Sequence, residues 1–182
     1  MRLVPLSSVA VLLLAVPALA QSPGGYAGQQ TREIKALSAQ EQADLAAGRG
    51  MGLARAGELN HYPGPAHVLE LRDKLELTPD QLTTVHASFQ RMEAAAKLFG
   101  AELVRREREM DAAFRQGEMT PVRLAADTEE IGALQGRLRG VHLAAHLEMR
   151  AVLSPQQVAA YDALRGYADG TAPSSHGHHM QP

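Results

Sequence analysis

The chain has 182 residues, no cysteine or tryptophan, 4% aromatic residues and a formal net charge of −2. This near-neutral balance offers no basic field for nucleic acid. No Gly-rich phosphate loop or nucleophile elbow is present to suggest an enzyme, and without cysteine the fold must rest on packing alone. Ala, Leu, Glu, Arg and Gln are abundant while β-branched and aromatic residues are scarce, which favours helix over sheet.

Residues 1–20 read as a signal peptide: Arg2 gives a minimal positive start, residues 9–16 an unbroken apolar run, and Ala18-Leu19-Ala20 a small-x-small cleavage site. Pro5, Ser7, Ser8 and Pro17 interrupt the stretch, which is too short to span a bilayer core of about 30 Å. Export with cleavage, leaving no stable membrane anchor, is the expectation. Residues 21–37, opening with a Gly/Ser/Gln-rich stretch, are expected to be disordered, and a helical domain to occupy 38–167.

Leu37-Ser38-Ala39-Gln40-Glu41 is a capping box that opens a short helix, ended by Gly48 and Gly50. Residues 51–60 can make one or two helical turns, and Tyr62-Pro63-Gly64-Pro65 is a turn between His61 and His67. Residues 67–75 read as a short amphipathic helix through Val68, Leu71 and Leu75. The sequence assigns no role to residues 51–71.

Two long helices come next. Over 79–115, Val85, Phe89, Met92, Ala96, Phe99, Leu103, Met110 and Phe114 form one apolar stripe. Gln116-Gly117-Glu118-Met119 breaks it, Thr120-Pro121 recaps, and a second helix runs to about residue 152. Its stripe is Leu124, Thr128, Ile131, Leu134, Leu138, His142, Ala145 and Met149. So short a break makes an antiparallel hairpin. A last helix over 155–167 turns Val158, Tyr161 and Leu164 inward, and residues 168–182 form a flexible His-containing tail. Gly132, Gly136 and Gly140 recur on a flank of the second helix, each costing about 1 kcal/mol against alanine. Close approach of another backbone, from this chain or from a second subunit, would offset that cost.

Histidines supply the candidate chemistry. His142 and His146 stand one helical turn apart, a spacing that lets two imidazoles share one metal ion. The hairpin register sets Glu93 opposite His142 and Phe89 opposite His146, with His86 and Met149 a turn further on and Met92 nearby. Such a set would suit Zn, Ni or Cu. The competing explanation is a buried histidine that hydrogen-bonds a carbonyl or carboxylate. In the tail, His176, His178 and His179 form a separate candidate metal site.

One phrase occurs twice. Leu77-Thr78-Pro79-Asp80-Gln81 and Leu153-Ser154-Pro155-Gln156-Gln157 each combine a leucine staple, a hydroxyl N-cap, a proline at the first helical position and a glutamine able to reach back to the cap. Across 77–167 the chain thereby resembles the Spy/CpxP (LTXXQ-motif) family of periplasmic proteins, on Leu77, Thr78, Gln81, Leu153, Ser154 and Gln157. The resemblance implies an all-α fold, a long helical hairpin with shorter capped helices, and a homodimer. It implies an ATP-independent chaperone or envelope-stress protein that binds unfolded envelope proteins or the periplasmic domain of a sensor kinase. The family's heavy-metal-binding relatives supply the alternative, a sensor or buffer for Zn, Ni or Cu. No cofactor is required by either reading. Ser154 replaces the threonine of the second motif, and Arg105, Arg106 and Arg108 alternate with Glu102, Glu107 and Glu109 where a chaperone cradle would be basic.

Overall fold

A computed structural model describes residues 25–168. The chain divides into two units, 1–30 and 31–182. Of the first, residues 25–30 form turns, with the Gln29 N–H donating to the Tyr26 carbonyl. The signal peptide expected at 1–20 and the tail histidines lie outside the described residues.

Among its described residues the second unit contains six helices: α1 (Ala39–Ala46), α2 (Arg55–Glu58), α3 (Pro65–Glu70), α4 (Pro79–Gln116), α5 (Pro121–Val152) and α6 (Pro155–Arg165). It is all-helical among the described residues, apart from one isolated bridge between Ile34 and Leu37. Capping starts each main helix where the sequence requires. Ser38, Thr78 and Ser154 each accept from the N–H three residues on, and Glu41, Gln81 and Gln157 return a bond to the cap. α4 spans about 57 Å at 1.5 Å per residue and ends where Gly117 turns left-handed at φ 71°. Thr120 then caps α5 with Pro121 at its first position. The two long helices pack as an antiparallel hairpin, held across by Arg106–Glu130 and by Arg91–Glu148 at 2.8 Å. These pairs fix the register within one turn of that expected.

The repeated phrase also has a tertiary role. Gln81 Nε2 donates to Gln157 Oε1 at 2.8 Å and to the Val152 carbonyl at 3.0 Å. In return Gln157 Nε2 donates to Gln81 Oε1 at 2.9 Å and to the Leu75 carbonyl at 3.1 Å. Each amide oxygen also accepts its own cap's N–H, so both glutamines satisfy two donors and two acceptors. The two motifs are a clasp that ties the start of α4 to the α5–α6 corner.

Apolar packing falls into two clusters. Val68, Leu75, Val85, Met149, Leu153, Val158 and Tyr161 fill the clasped end. Leu45, Ala96, Leu103, Ile131, Leu134 and Leu138 form the second cluster further along the hairpin. Between the two, α4 presents Phe89, Met92 and Glu93 while α5 presents His142 and His146. This interruption of the core positions the site.

Several expectations are corrected. Phe114 (56% exposed), Leu124 (38%) and Leu164 (42%) are not inward, and Thr128 is exposed. Two helices bury only the narrow seam between them, and near the turn no shorter helix covers the rest of the stripe. Glu107 lies on that seam instead, 7% exposed and with Oε2 unpaired. The helix expected over 67–75 is α3 at Pro65–Glu70; the chain then turns, reaching φ +50° at Glu76, yet still buries Leu75. Residues 31–37, expected as disordered, are drawn onto α4. Ile34 is fully buried, the Lys35 N–H donates to Asp111, and Arg108 pairs with Glu33 at 3.0 Å.

The glycine stripe meets no other part of the described chain. A Cβ added at Gly132, Gly136 or Gly140 would find nothing within 4 Å. Close helix approach occurs at Gly100, where a Cβ would lie 2.1 Å from the Leu45 carbonyl oxygen of α1.

Candidate functional site

A cavity of about 720 Å³ opens between α5, the middle of α4 and residues 47–67. That segment is shaped by backbone that side chains would obstruct. Gly48 adopts φ +68° and lies so close to α4 that a Cβ would be 3.1 Å from the Glu93 carbonyl oxygen. A Cβ on Gly64 would meet the His146 ring at 3.0 Å. Positive φ at Met51 (46°), Gly52 (79°) and His61 (65°) bends the chain around the space. Residues 51–71, to which the sequence assigned no role, thus supply much of one wall.

A polar network anchors this wall to α5 and α6. Glu58 Oε1 accepts the Tyr161 hydroxyl at 2.6 Å and lies 3.4 Å from Arg165 Nε. The Tyr161 hydroxyl in turn accepts from the Gly64 N–H at 3.3 Å. Burial, reinforced by the Glu58 carboxylate, pushes the Tyr161 phenol far above its ordinary range, so it stays a neutral donor. His61 Nδ1 meets Asp162 Oδ2 at 2.8 Å, closing the outer edge.

His142 and His146 stand on the opposite wall, both buried at 3% and 8% exposure. His146 Nδ1 lies 2.7 Å from the Tyr62 carbonyl oxygen, to which it donates; that bond fixes the ring's orientation and selects the tautomer of the neutral form, with the lone pair on Nε2. Glu58 Oε2 stands 3.6 Å from Nδ1. His142 differs: its Nε2 is buried with no hydrogen-bond partner. Burial, with a smaller contribution from His146, holds the His142 pKa below the usual imidazole value and keeps the ring neutral.

The structure brings together part of the sequence-derived set. Glu93 and Met92 line the cavity with both histidines, although Glu93 is paired with Lys97 at 3.1 Å. His86 is exposed on α4 and does not line the cavity, and Met149 is fully buried in the clasped-end core. Among the described residues no group of three or more His, Cys, Asp or Glu is placed to hold a metal ion. The two imidazoles are half of a tetrahedral set. Glu58, Tyr161 and Asp162 are site residues that sequence reasoning did not find. Their partners lie about a hundred positions away in sequence, and no local pattern marks such pairs.

Chemically, the cavity offers soft and apolar walls from Met51, Leu59, Phe89 and Met92, with Arg49, Arg55, Glu58 and Glu93 supplying both signs of charge. Leu59 and Met51 are 54% and 44% exposed. No helix among the described residues is long and apolar enough to cross a membrane.

No family model, curated protein or solved structure matches this chain.

Proposed function

We propose that this chain is an exported, ATP-independent holding chaperone of the Spy/CpxP type, which takes apolar segments of unfolded envelope proteins into the cavity between its two cores. The observation that carries the reading is the lining: Met51, Leu59, Phe89 and Met92 beside charges of both signs. Thioethers on unbranched, rotatable side chains reshape around differently shaped apolar groups, and Met-rich surfaces suit many partners. A space of about 720 Å³ takes one or two large client side chains. Each contributes about 1.5–3 kcal/mol on burial, enough for a reversible hold and no more. The flanking charges leave the client's polar backbone a compatible rim.

Light scattering of a denatured client tests this. Near-stoichiometric protein is expected to suppress aggregation, Leu59→Glu to weaken suppression several-fold, and Val122→Glu, 82% exposed near the hairpin turn, to leave it unchanged. A client that precipitates at the same rate with and without the protein removes the reading.

A second reading rests on its own observation, the unpartnered His142 Nε2 beside the oriented His146 ring. Buried polar nitrogens are almost always bonded, to protein, to an ordered water or to an ion. On this reading the chain binds Zn, Ni or Cu as a periplasmic sensor or buffer.

A further inference from the structure

We infer that the cavity holds one free apolar monocarboxylate, a chain acid whose hydrocarbon body lies against Phe89 and Met92 and whose carboxylate sits at the 50–52 turn, on the Arg55 guanidinium and the His142 ring. The site depends on the cavity alone and is independent of both the client and the metal reading.

The charges of the lining point to an anion. Glu58 Oε1 takes the Tyr161 hydroxyl and lies 3.4 Å from Arg165 Nε, Glu93 is held 3.1 Å from Lys97, and Arg49 pairs with Asp44. His67 meets Glu70 at 3.0 Å. That leaves Arg55, which lines the cavity and whose side chain has no ion-pair or hydrogen-bond partner among the described residues. One uncompensated cation calls for one negative charge, and the planar guanidinium fork matches a carboxylate through two parallel bonds.

A second polar group stands at the same turn. His142 is 3% exposed, lines the cavity and has no partner for Nε2. A Cβ at Gly50 would lie 3.8 Å from His142 Nδ1, and one at Gly52 would lie 3.1 Å from Arg55 Nη2. Two positions apart, these glycines bring the imidazole and the guanidinium to one end of the space. A neutral imidazole carries a single N–H, so with Nδ1–H donated to the carboxylate the buried Nε2 is a bare lone pair and no donor is orphaned.

The rest of the space suits a hydrocarbon. Phe89, Met92, Met51 and Leu59 supply apolar lining, and the thioethers adapt to a flexible chain. The cavity's 720 Å³ falls within the ~300–1,000 Å³ of sites that take one small organic molecule. The last residue of a peptide also joins an apolar group to a carboxylate, but it brings amide groups with it. With Glu58, Glu93 and Arg49 already paired, the walls offer those amides few partners, and burying them unbonded is unfavourable. A free chain acid has only its carboxylate to satisfy.

Calorimetric titration of the full-length protein with decanoate, kept below micelle formation, tests the site. The parent is expected to bind one equivalent, Arg55→Gln to weaken binding at least about tenfold through loss of a charge-assisted pair, and Arg55→Lys to recover part of it. Decanol, the same chain without the charge, is expected to bind the parent and Arg55→Gln alike. Arg55 is exposed, and circular dichroism confirms that both variants keep their helices. No decanoate binding by the parent, unchanged decanoate affinity in Arg55→Gln, or an equal loss for decanol overturns the proposal. So does tighter, Arg55-dependent binding of an acetylated peptide ending in leucine, which would make the occupant a client C-terminus. Suppression of client aggregation is measured separately, so the chaperone reading stands or falls on its own result.

Discussion

Two buried ionisable side chains on the hairpin have opposite pH signatures. Glu107 is buried on the seam, and burial raises its carboxyl above the ordinary 4.5. A raised acid contributes stability below its unfolded value that is lost as pH rises through the folded one. Glu107→Gln is therefore expected to be more stable than the parent in urea at pH 7.5, with the difference shrinking below about pH 4.5. Equal midpoints at both pH values would show that the carboxylate is solvated. His142, held below 6.5, contributes stability above that value that is lost as pH falls through its lower folded value. The glycines differ as sharply. Gly100→Ala drives a methyl into the Leu45 carbonyl and is expected to cost about 1–3 kcal/mol through overpacking. Gly136→Ala meets open space and is expected to gain up to about 1 kcal/mol in helix propensity. Thermal or urea unfolding of the two variants separates them, and a loss at Gly136 would reveal a covering partner.

Among the helices, capping and the glutamine clasp can be pulled apart experimentally. Thr78→Ala and Ser154→Ala each remove one acceptor for the N–H three residues on and are expected to cost about 1 kcal/mol while leaving the helices in place. Gln81 and Gln157 bond each other as well as their caps, so their contributions should not add. A double-mutant cycle with alanine at both is expected to give a coupling of about 0.5 kcal/mol or more. Strict additivity would mean that the clasp carries no energetic weight of its own. The exposed charge ladder is a weaker element. Arg105 draws the Glu102 carboxyl down to about 2 through a side-chain hydrogen bond, yet the pair stands at the surface in contact with solvent, where ion pairs add little to stability.

For the protein as a unit, the expected homodimer has one place to be tested. Gly132, Gly136 and Gly140 leave the backbone of α5 bare along one flank, which continues to Leu147 at 61% exposure. If a second copy packs there, sedimentation at micromolar concentration gives a dimer and Gly136→Leu converts it to a monomer. A parent protein that sediments as a monomer removes the expectation. The same experiment bears on the chaperone reading, since a dimer through this flank would leave the cavity of each copy walled as described.

The helices were legible because local chemistry decides them. Ser38, Thr78, Thr120 and Ser154 can cap only the helix on their C-terminal side, Gly117 can end only the helix before it, and the apolar period fixes which face of α4 meets α5. The hairpin register was equally available, since a short turn leaves the two helices little freedom, and it placed Glu93 and Phe89 by the histidines correctly. Absent from the chain order was the depth of burial near the turn, where Phe114 and Leu124 lack a third helix to cover them. Nor did it contain the wall of the cavity. Residues 47–67 have neither a helical period nor a strong motif, and their shape comes from glycine backbone pressed against α4 and α5 and from Glu58 meeting Tyr161 across a hundred positions. Capping and periodicity act within a few residues and are therefore written in sequence, whereas a cavity is the space left between elements and exists only once they have packed.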